Sequence, residues 1–401
     1  MAPELSDAKN ISLPNTLTDK QNVAVVGGSA AGLFTATLLA RRGVSVRVFE
    51  RIEMLEPEER TLIVTDRMRA LLGRAAEKSV VNEIRRFELF TDGRAATIAL
   101  KHPDLIIERR TLIKGLAEEA QHAGASIELG RRFHALHPNG RGLVLEVDRC
   151  NDGTREEVHA DTIIGGDGAA SRVAHAAGWA PLETVPLVQA IVPLPKDMSP
   201  DTARVWFVPQ DTPYFYWLIP ESPTRGALGL IGVTGPETRL HLEKFLEKRK
   251  LDPIEFQGAR IPLYKKWVAV RRQVGKGTVY LVGDAAGQVK VTTVGGIVTG
   301  FRGALGVAQA ILNGRFSELH TLRRELDLHL LLRRSLHDFQ QADYSRLVDL
   351  LNDPAKESLA EYSRDEAWKI LWRVCLSQPR LVLLGLRGLL SRSRLPHRTH
   401  L

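Results

Sequence analysis

The chain has 401 residues, 44% hydrophobic and 25% charged, an ordinary globular composition that excludes a disordered or fibrous chain. Two cysteines far apart in sequence, Cys150 and Cys375, argue against a disulfide framework and against a thiolate-held metal, and no His-rich metal spacing is present. The formal net charge of +8 would suit nucleic acid, yet no reading motif accompanies it, and the apolar stretches break at Arg or Gly before the roughly 20 residues that span a bilayer.

Residues 1–20 (MAPELSDAKNISLPNTLTDK) are polar and carry neither a long apolar core nor a small-residue cleavage site, so they read as a loose leader, and a cytoplasmic location is expected. Asn22 to Val26 is a short β-branched run, GGSAAG turns the chain, LFTATLLARRG has helical apolar spacing, and VSVRVFE alternates as a second strand ending at Glu50. Such a βαβ unit suits a dinucleotide. Gly27 permits the tight turn, Ser29, Ala30 and Ala31 are small enough for a pyrophosphate to approach the backbone, and Gly32 lets the helix pack closely on the strand. Glu50, followed by Arg51, stands where an acidic residue binds ribose hydroxyls. The usual middle glycine of the fingerprint is Ser29, and a plain glycine-rich turn is the alternative reading.

Further along, FELFTDGRAATIAL turns at Asp92-Gly93 and LVLEVDRCNDGTREEV at Asp152-Gly153, which predicts hairpins around 87–100 and 142–158, with Cys150 beside the second turn in a structural or exposed role. Between them, Arg109 opens a helix that ends at Gly124. Asp161 to Gly166 is another short apolar strand; Asp167-Gly168 then turns the chain and Ser171 opens a helix. From Pro181 to Lys276 the texture shifts to strands rich in aromatics and prolines. There Phe215, Trp217 and Ile219 alternate by two and share one face of a strand, followed by Pro220; a plain core strand is the competing reading. Val279 to Val282 is a strand, GDAAG a turn, and a helix begins near Gly295-Gly296. After Glu366 no acidic residue remains, while Lys369, Arg373, Arg380, Arg387, Arg392, Arg394 and Arg398 are interleaved with tryptophans and leucines. Two readings stand for this basic amphipathic pattern: peripheral contact with a membrane surface, or a helix packed on the body with its arginines in water.

The GxGxxG-like turn with Glu50, the segment Gly166-Asp167-Gly168 with Ser171, and GDAAG together resemble the three fingerprints of the FAD superfamily that contains aromatic hydroxylases, flavin halogenases and geranylgeranyl reductases. GDAAGQVKVTTVGGI is most similar to the geranylgeranyl reductase pattern. The resemblance implies an α/β fold: a Rossmann-like FAD-binding domain (GR2/PHBH-like), an antiparallel β-sheet substrate domain and a C-terminal helical region. The corresponding segments are 1–20 as leader, 21–180 and 278–313 as the two parts of the FAD domain, 181–277 as substrate domain and 314–401 as helical region. It also implies that Gly27, Ser29, Ala30, Ala31, Gly32, Glu50, Arg51, Arg109, Asp167, Gly168, Asp284, Ala285, Gly287, Gly295 and Gly296 bind FAD. Phe215, Trp217, Ile219 and Pro220 form F-x-W-x-I-P, similar to the aromatic motif on the lipid-pocket wall of the reductases.

On this resemblance the chain is an FAD-dependent oxidoreductase that reduces C=C bonds of an isoprenoid or other apolar small molecule, with NAD(P)H or another external reductant as donor. The halogenase branch is disfavoured, because no Lys occurs between Lys20 and Lys78. An FAD monooxygenase acting on an aromatic or apolar molecule is the alternative, and a non-catalytic prenyl binder a third. The chain departs from the reductase pattern at Val291 and Val294, which replace a Pro and a Gly, and it has no Cys after the first βαβ unit. The catalytic acid is not identified. No metal and no nucleic acid is expected.

Overall fold

The computed structural model describes residues 21–391; the leader 1–20 and Arg392, Arg394 and Arg398 lie outside them. A six-stranded sheet has the spatial order Arg271–Val274, Gly277–Leu281, Thr162–Gly165, Asn22–Val26, Ser45–Glu50 and Ser126–Leu129. All neighbours are parallel except the first pair. The central strands are continuous apolar runs because both faces are covered. The helices Ala30–Ala40 and Ile297–Asn313 pack against each other, with the rings of Phe34 and Phe301 edge to face at 5.3 Å. The three segments singled out in the sequence thus become neighbours: the C-terminal ends of Asn22–Val26, Thr162–Gly165 and Gly277–Leu281 lie side by side.

The second sheet has eight strands, in the order Glu255–Pro262, Thr184–Pro193, Arg225–Ile231, Tyr216–Pro220, Thr202–Trp206, Val80–Thr91, Arg94–Glu108 and Thr61–Val64. It is antiparallel apart from the parallel pairing of Thr202–Trp206 with Val80–Thr91. The hairpin expected around 87–100 as an insertion in the nucleotide-binding part therefore runs over Val80–Glu108 and belongs to this sheet. Its turn is at Asp92 and Gly93, which hold φ at +40 and +74. The hairpin around 142–158 forms a separate three-stranded sheet with Arg131–Pro138.

The chain then runs through the helices Ser317–Leu336, Gln341–Asp349, Asp353–Glu361, Ala367–Ser377 and Pro379–Ser391. Gly388 sits directly on the backbone of Ser335, where any Cβ would collide, so the last described helix lies tightly on the first of this series.

Candidate cofactor and substrate site

The turn after the first strand is built as its residue types dictate. Gly27 has φ +101, and a Cβ there would stand 2.6 Å from the carbonyl oxygen of Gly166, so only glycine lets these two loops meet. Ser29 caps the helix Ala30–Ala40, its Oγ accepting from Gly32 N at 3.2 Å. Glu50 ends the second strand and accepts from Gly28 N at 2.6 Å and Ile52 N at 3.2 Å, which places its carboxylate beside the glycine turn. Arg51 is exposed, and its carbonyl accepts from Cys150 Sγ at 3.2 Å, which gives that cysteine a structural contact.

Asp167 uses its carboxylate on the next helix: it accepts from Ser171 Oγ at 2.5 Å, Arg172 N at 2.7 Å and Val173 N at 3.1 Å. Burial pushes its pKa up, against the pull of those hydrogen bonds. Gly168 beside it holds φ +86. A cavity opens at this turn, lined by Ser171, Trp179, Leu182 and Ala285 among others.

The stretch Gly283–Ala286 is a single tight 3-10 turn that ends at Gly287 with φ +64. Asp284 is half-buried at the edge of a cavity, and desolvation pushes its carboxyl up, while the guanidinium charges of Arg60 and Arg109 oppose that shift. Arg109 is the first residue of the helix Arg109–His122, and its backbone N donates to Arg60 O at 3.0 Å. Burial, then the nearby Arg109 charge, lowers the pKa of Arg60, with Asp284 offsetting. Gly296 precedes the helix Ile297–Asn313 without any side-chain cap, so its first N–H groups point outward with the positive end of the helix dipole.

A deep cavity lies between this loop and the eight-stranded sheet. Phe215, Trp217 and Ile219 line it from the sheet, and Asp284, Gly295 and Gly296 from the loop. Three residues predicted to share a face therefore do so, with the rings of Phe215 and Trp217 edge to face at 6.2 Å. The indole of Trp217 lies across Gly229 on the next strand, where a Cβ would be 2.5 Å from Cζ2. Pro220 is buried at the strand end and does not line the cavity; its carbonyl accepts from Asn82 Nδ2 at 3.0 Å.

Sequence reasoning missed four charged residues on or beside this cavity. Arg60, Lys290 and Arg364 line it. Lys290 is 5% exposed, and its Nζ donates to Asp365, which also accepts from Thr65. Arg364 pairs with the buried Asp104 at 2.6 Å. Despite the burial that would raise it, Lys290 and Thr65 hold the Asp365 carboxyl down at about 2. The one available signal was a Lys, unusual in an apolar glycine-rich loop; its partner, 75 residues on, gave none.

The donor set fits a dinucleotide with a flavin. Two helix N-termini approach from the sheet's C-terminal edge, the loops meet backbone to backbone at Gly27 and Gly166, and an apolar wall faces the second helix end. Residues 20–313 match the family described as FAD binding domain. The chain is 28% identical over 363 residues to digeranylgeranylglycerophospholipid reductase 2 of Methanothermobacter thermautotrophicus, covering 85% of this chain and 91% of that protein. It is 27% identical over 385 residues to the chloroplastic geranylgeranyl diphosphate reductase of Oryza sativa subsp. japonica, covering 86% and 78%. Its fold is shared with a geranylgeranyl bacteriochlorophyll reductase-like protein of Thermoplasma acidophilum at TM-score 0.75, 18% identity, and coverage of 92% and 99%. With a family match over most of its length, the chain belongs to the FAD-binding-domain family and is an FAD-dependent oxidoreductase similar in sequence to geranylgeranyl reductases.

Proposed function

We propose that the chain reduces C=C bonds of a prenyl-type substrate lying in the cavity between the flavin loop and the eight-stranded sheet. The observation that carries this reading is the apolar wall of Phe215, Trp217 and Ile219 facing Gly295 and Gly296. When bound, FAD supplies the hydride, replenished by NAD(P)H or another external reductant. The residues around it have separable tasks. The N-terminus of the helix Ala30–Ala40, with Gly27 to Gly32, would hold the pyrophosphate, and Glu50 with Arg51 the adenosine end. Asp284, Ala285 and Gly287 would meet the ribityl chain and pyrophosphate, with Arg109 alongside and Asp167-Gly168 shaping the facing loop. Gly295 and Gly296 would present free N–H groups to the negative charge that builds up at the pyrimidine edge of reduced flavin.

The apolar wall excludes water and orients the tail. Anaerobic incubation of the FAD-loaded protein with a reductant and a prenyl acceptor is expected to give a product heavier by two hydrogens. A product heavier by one oxygen, formed only in air, would establish a monooxygenase instead. Trp217→Ala is expected to keep FAD bound while weakening acceptor binding by about 1–3 kcal/mol, as judged by acceptor-dependent reoxidation.

The C-terminal helices supply an approach for such a substrate. On the helix Ala367–Ser377, Trp368, Trp372 and Leu376 fall four residues apart on one face and are 63%, 62% and 68% exposed. Leu383 and Leu386 on the following helix are exposed as well, with Arg373, Arg380 and Arg387 among them. We read this as a face that rests on an anionic membrane surface, indoles in the interface and arginines toward headgroups. Among the described residues no helix is long and apolar enough to cross a membrane.

A further inference from the structure

Reducing a C=C bond consumes a proton as well as a hydride, and the proton must reach a cavity walled on the sheet side by Phe215, Trp217 and Ile219. Among the described residues the ionisable side chains that line this cavity are Arg60, Asp284, Lys290 and Arg364; no Tyr, His or Cys lines it. An arginine keeps its proton. Asp284 belongs to the turn that would meet the ribityl chain. Lys290 is the side chain left that can give up a proton and take it back.

Its surroundings hold it for that task. Lys290 N donates to Gly295 O at 3.1 Å, which bridges the flavin loop. A Cβ on Gly295 would stand 3.7 Å from Lys290 Cε, so the ammonium end lies beside the glycines that precede the helix Ile297–Asn313. Asp365 holds it from behind: its side chain is fully enclosed, does not line the cavity, and accepts from Lys290 Nζ and Thr65 Oγ1. Burial works to raise the Asp365 carboxyl, yet Lys290 and Thr65 hold it down at about 2, so it stays a carboxylate and is not itself the donor. Among the described residues Asp365 takes the one hydrogen bond that Nζ donates, which leaves the other N–H groups of the ammonium uncommitted.

We infer that Lys290 is the proton donor of the reduction, with Asp365 as the residue that positions it. This rests on the reading of the cavity as a site of C=C reduction. One carbon of the double bond takes the hydride that FAD supplies. The other takes a proton from Lys290 Nζ, the N–H bond breaking as the second C–H bond forms. The acceptor gains two electrons and loses its π bond, and the neutral amine is reprotonated by water as the product leaves.

The test compares reoxidation of the anaerobically reduced, FAD-loaded protein by a prenyl acceptor and by ferricyanide, followed by flavin absorbance. Ferricyanide takes electrons without any proton going to carbon. Lys290→Arg keeps a cation against Asp365 but does not readily release a proton. It is expected to slow the acceptor reaction about a hundredfold or more, while ferricyanide reoxidation, FAD content and acceptor affinity by titration calorimetry stay unchanged. Lys290→Ala is expected to be equally slow and to regain rate as ethylammonium is added, a response that the loss of a merely structural lysine does not give. Lys290→Met combined with Asp365→Asn removes both charges, so the acceptor rate can still be read should a buried unpaired ion unfold the single variants. An acceptor rate within about threefold of the unsubstituted one in Lys290→Arg or in the double variant would overturn the inference and leave prenyl reduction standing. Equal slowing of the acceptor and ferricyanide reactions in Lys290→Arg would assign the lysine to the cofactor and overturn it as well. No acceptor-dependent reoxidation in the unsubstituted protein would sink the reduction reading, and the proton donor with it.

Discussion

Val294 holds φ at +51, a conformation that β-branched residues strongly avoid, and it does so in the loop between the flavin helix and the substrate wall. The glycine usual at this position in the pattern the chain resembles would adopt the same angle without strain. Val294 nevertheless adds its methyls to the cluster around Trp217, so strain and packing oppose each other. Val294→Gly is therefore expected to change unfolding free energy by less than about 1 kcal/mol and to enlarge the acceptor range. Val298→Gly, at a buried helical position, should cost roughly 3 kcal/mol in the same denaturation experiment. Asp284 offers a second residue-scale test. Asp284→Ala removes a carboxylate facing the cofactor cavity, whereas Asp92→Ala alters a hairpin turn in the other sheet. FAD affinity, followed by flavin fluorescence on dilution, is expected to fall about tenfold or more in the first and to stay unchanged in the second. Equal affinities would remove Asp284 from the cofactor site.

At the scale of elements, the pair Lys290–Asp365 fastens the flavin loop to the segment that leads into the helix Ala367–Ser377. Asp365→Asn would leave the buried ammonium without its counter-charge, so a loss on the order of 3 kcal/mol is expected by urea denaturation. His329 stands in the same network, its Nδ1 2.7 Å from Thr292 Oγ1, and burial followed by the Lys290 charge lowers it to about 3 from its ordinary 6.5. The folded chain thus refuses a proton that the unfolded chain accepts. Its contribution is complete above pH 6.5 and is lost progressively as the pH falls toward about 3. His329→Gln is expected to flatten the stability profile between pH 7 and 5 relative to the unsubstituted protein; an unchanged slope would mean that other groups control it. This network also marks where sequence reading stops. The strands, glycine turns and caps around Gly27, Ser171 and Gly296 are local, so each is written in a short stretch. Lys290 and Asp365 meet across 75 residues and carry no local signature. The Val80–Glu108 hairpin was legible as a hairpin, but its sheet was not, because its outer partner Thr202–Trp206 lies more than a hundred residues downstream.

For the whole molecule, two features stand apart: the exposed indoles of the helix Ala367–Ser377 and the apolar cavity that ends at the flavin loop. The exposed helix face belongs to no part of the chemistry, so it can be altered without touching the cavity. Trp368→Ala with Trp372→Ala removes two indoles more than half exposed, and should leave FAD content, melting temperature and reduction of a detergent-dispersed acceptor unchanged. Each interfacial indole is worth about 1–2 kcal/mol, so partitioning onto vesicles should fall about tenfold or more. Vesicles with one-third anionic lipid should retain the unsubstituted protein at low salt and release it as salt rises, whereas neutral vesicles should retain less from the start. Co-sedimentation reads both effects. Reduction of an acceptor embedded in those vesicles should slow in parallel with binding, and equal sedimentation of the two proteins on anionic vesicles would show that the face meets something other than a membrane.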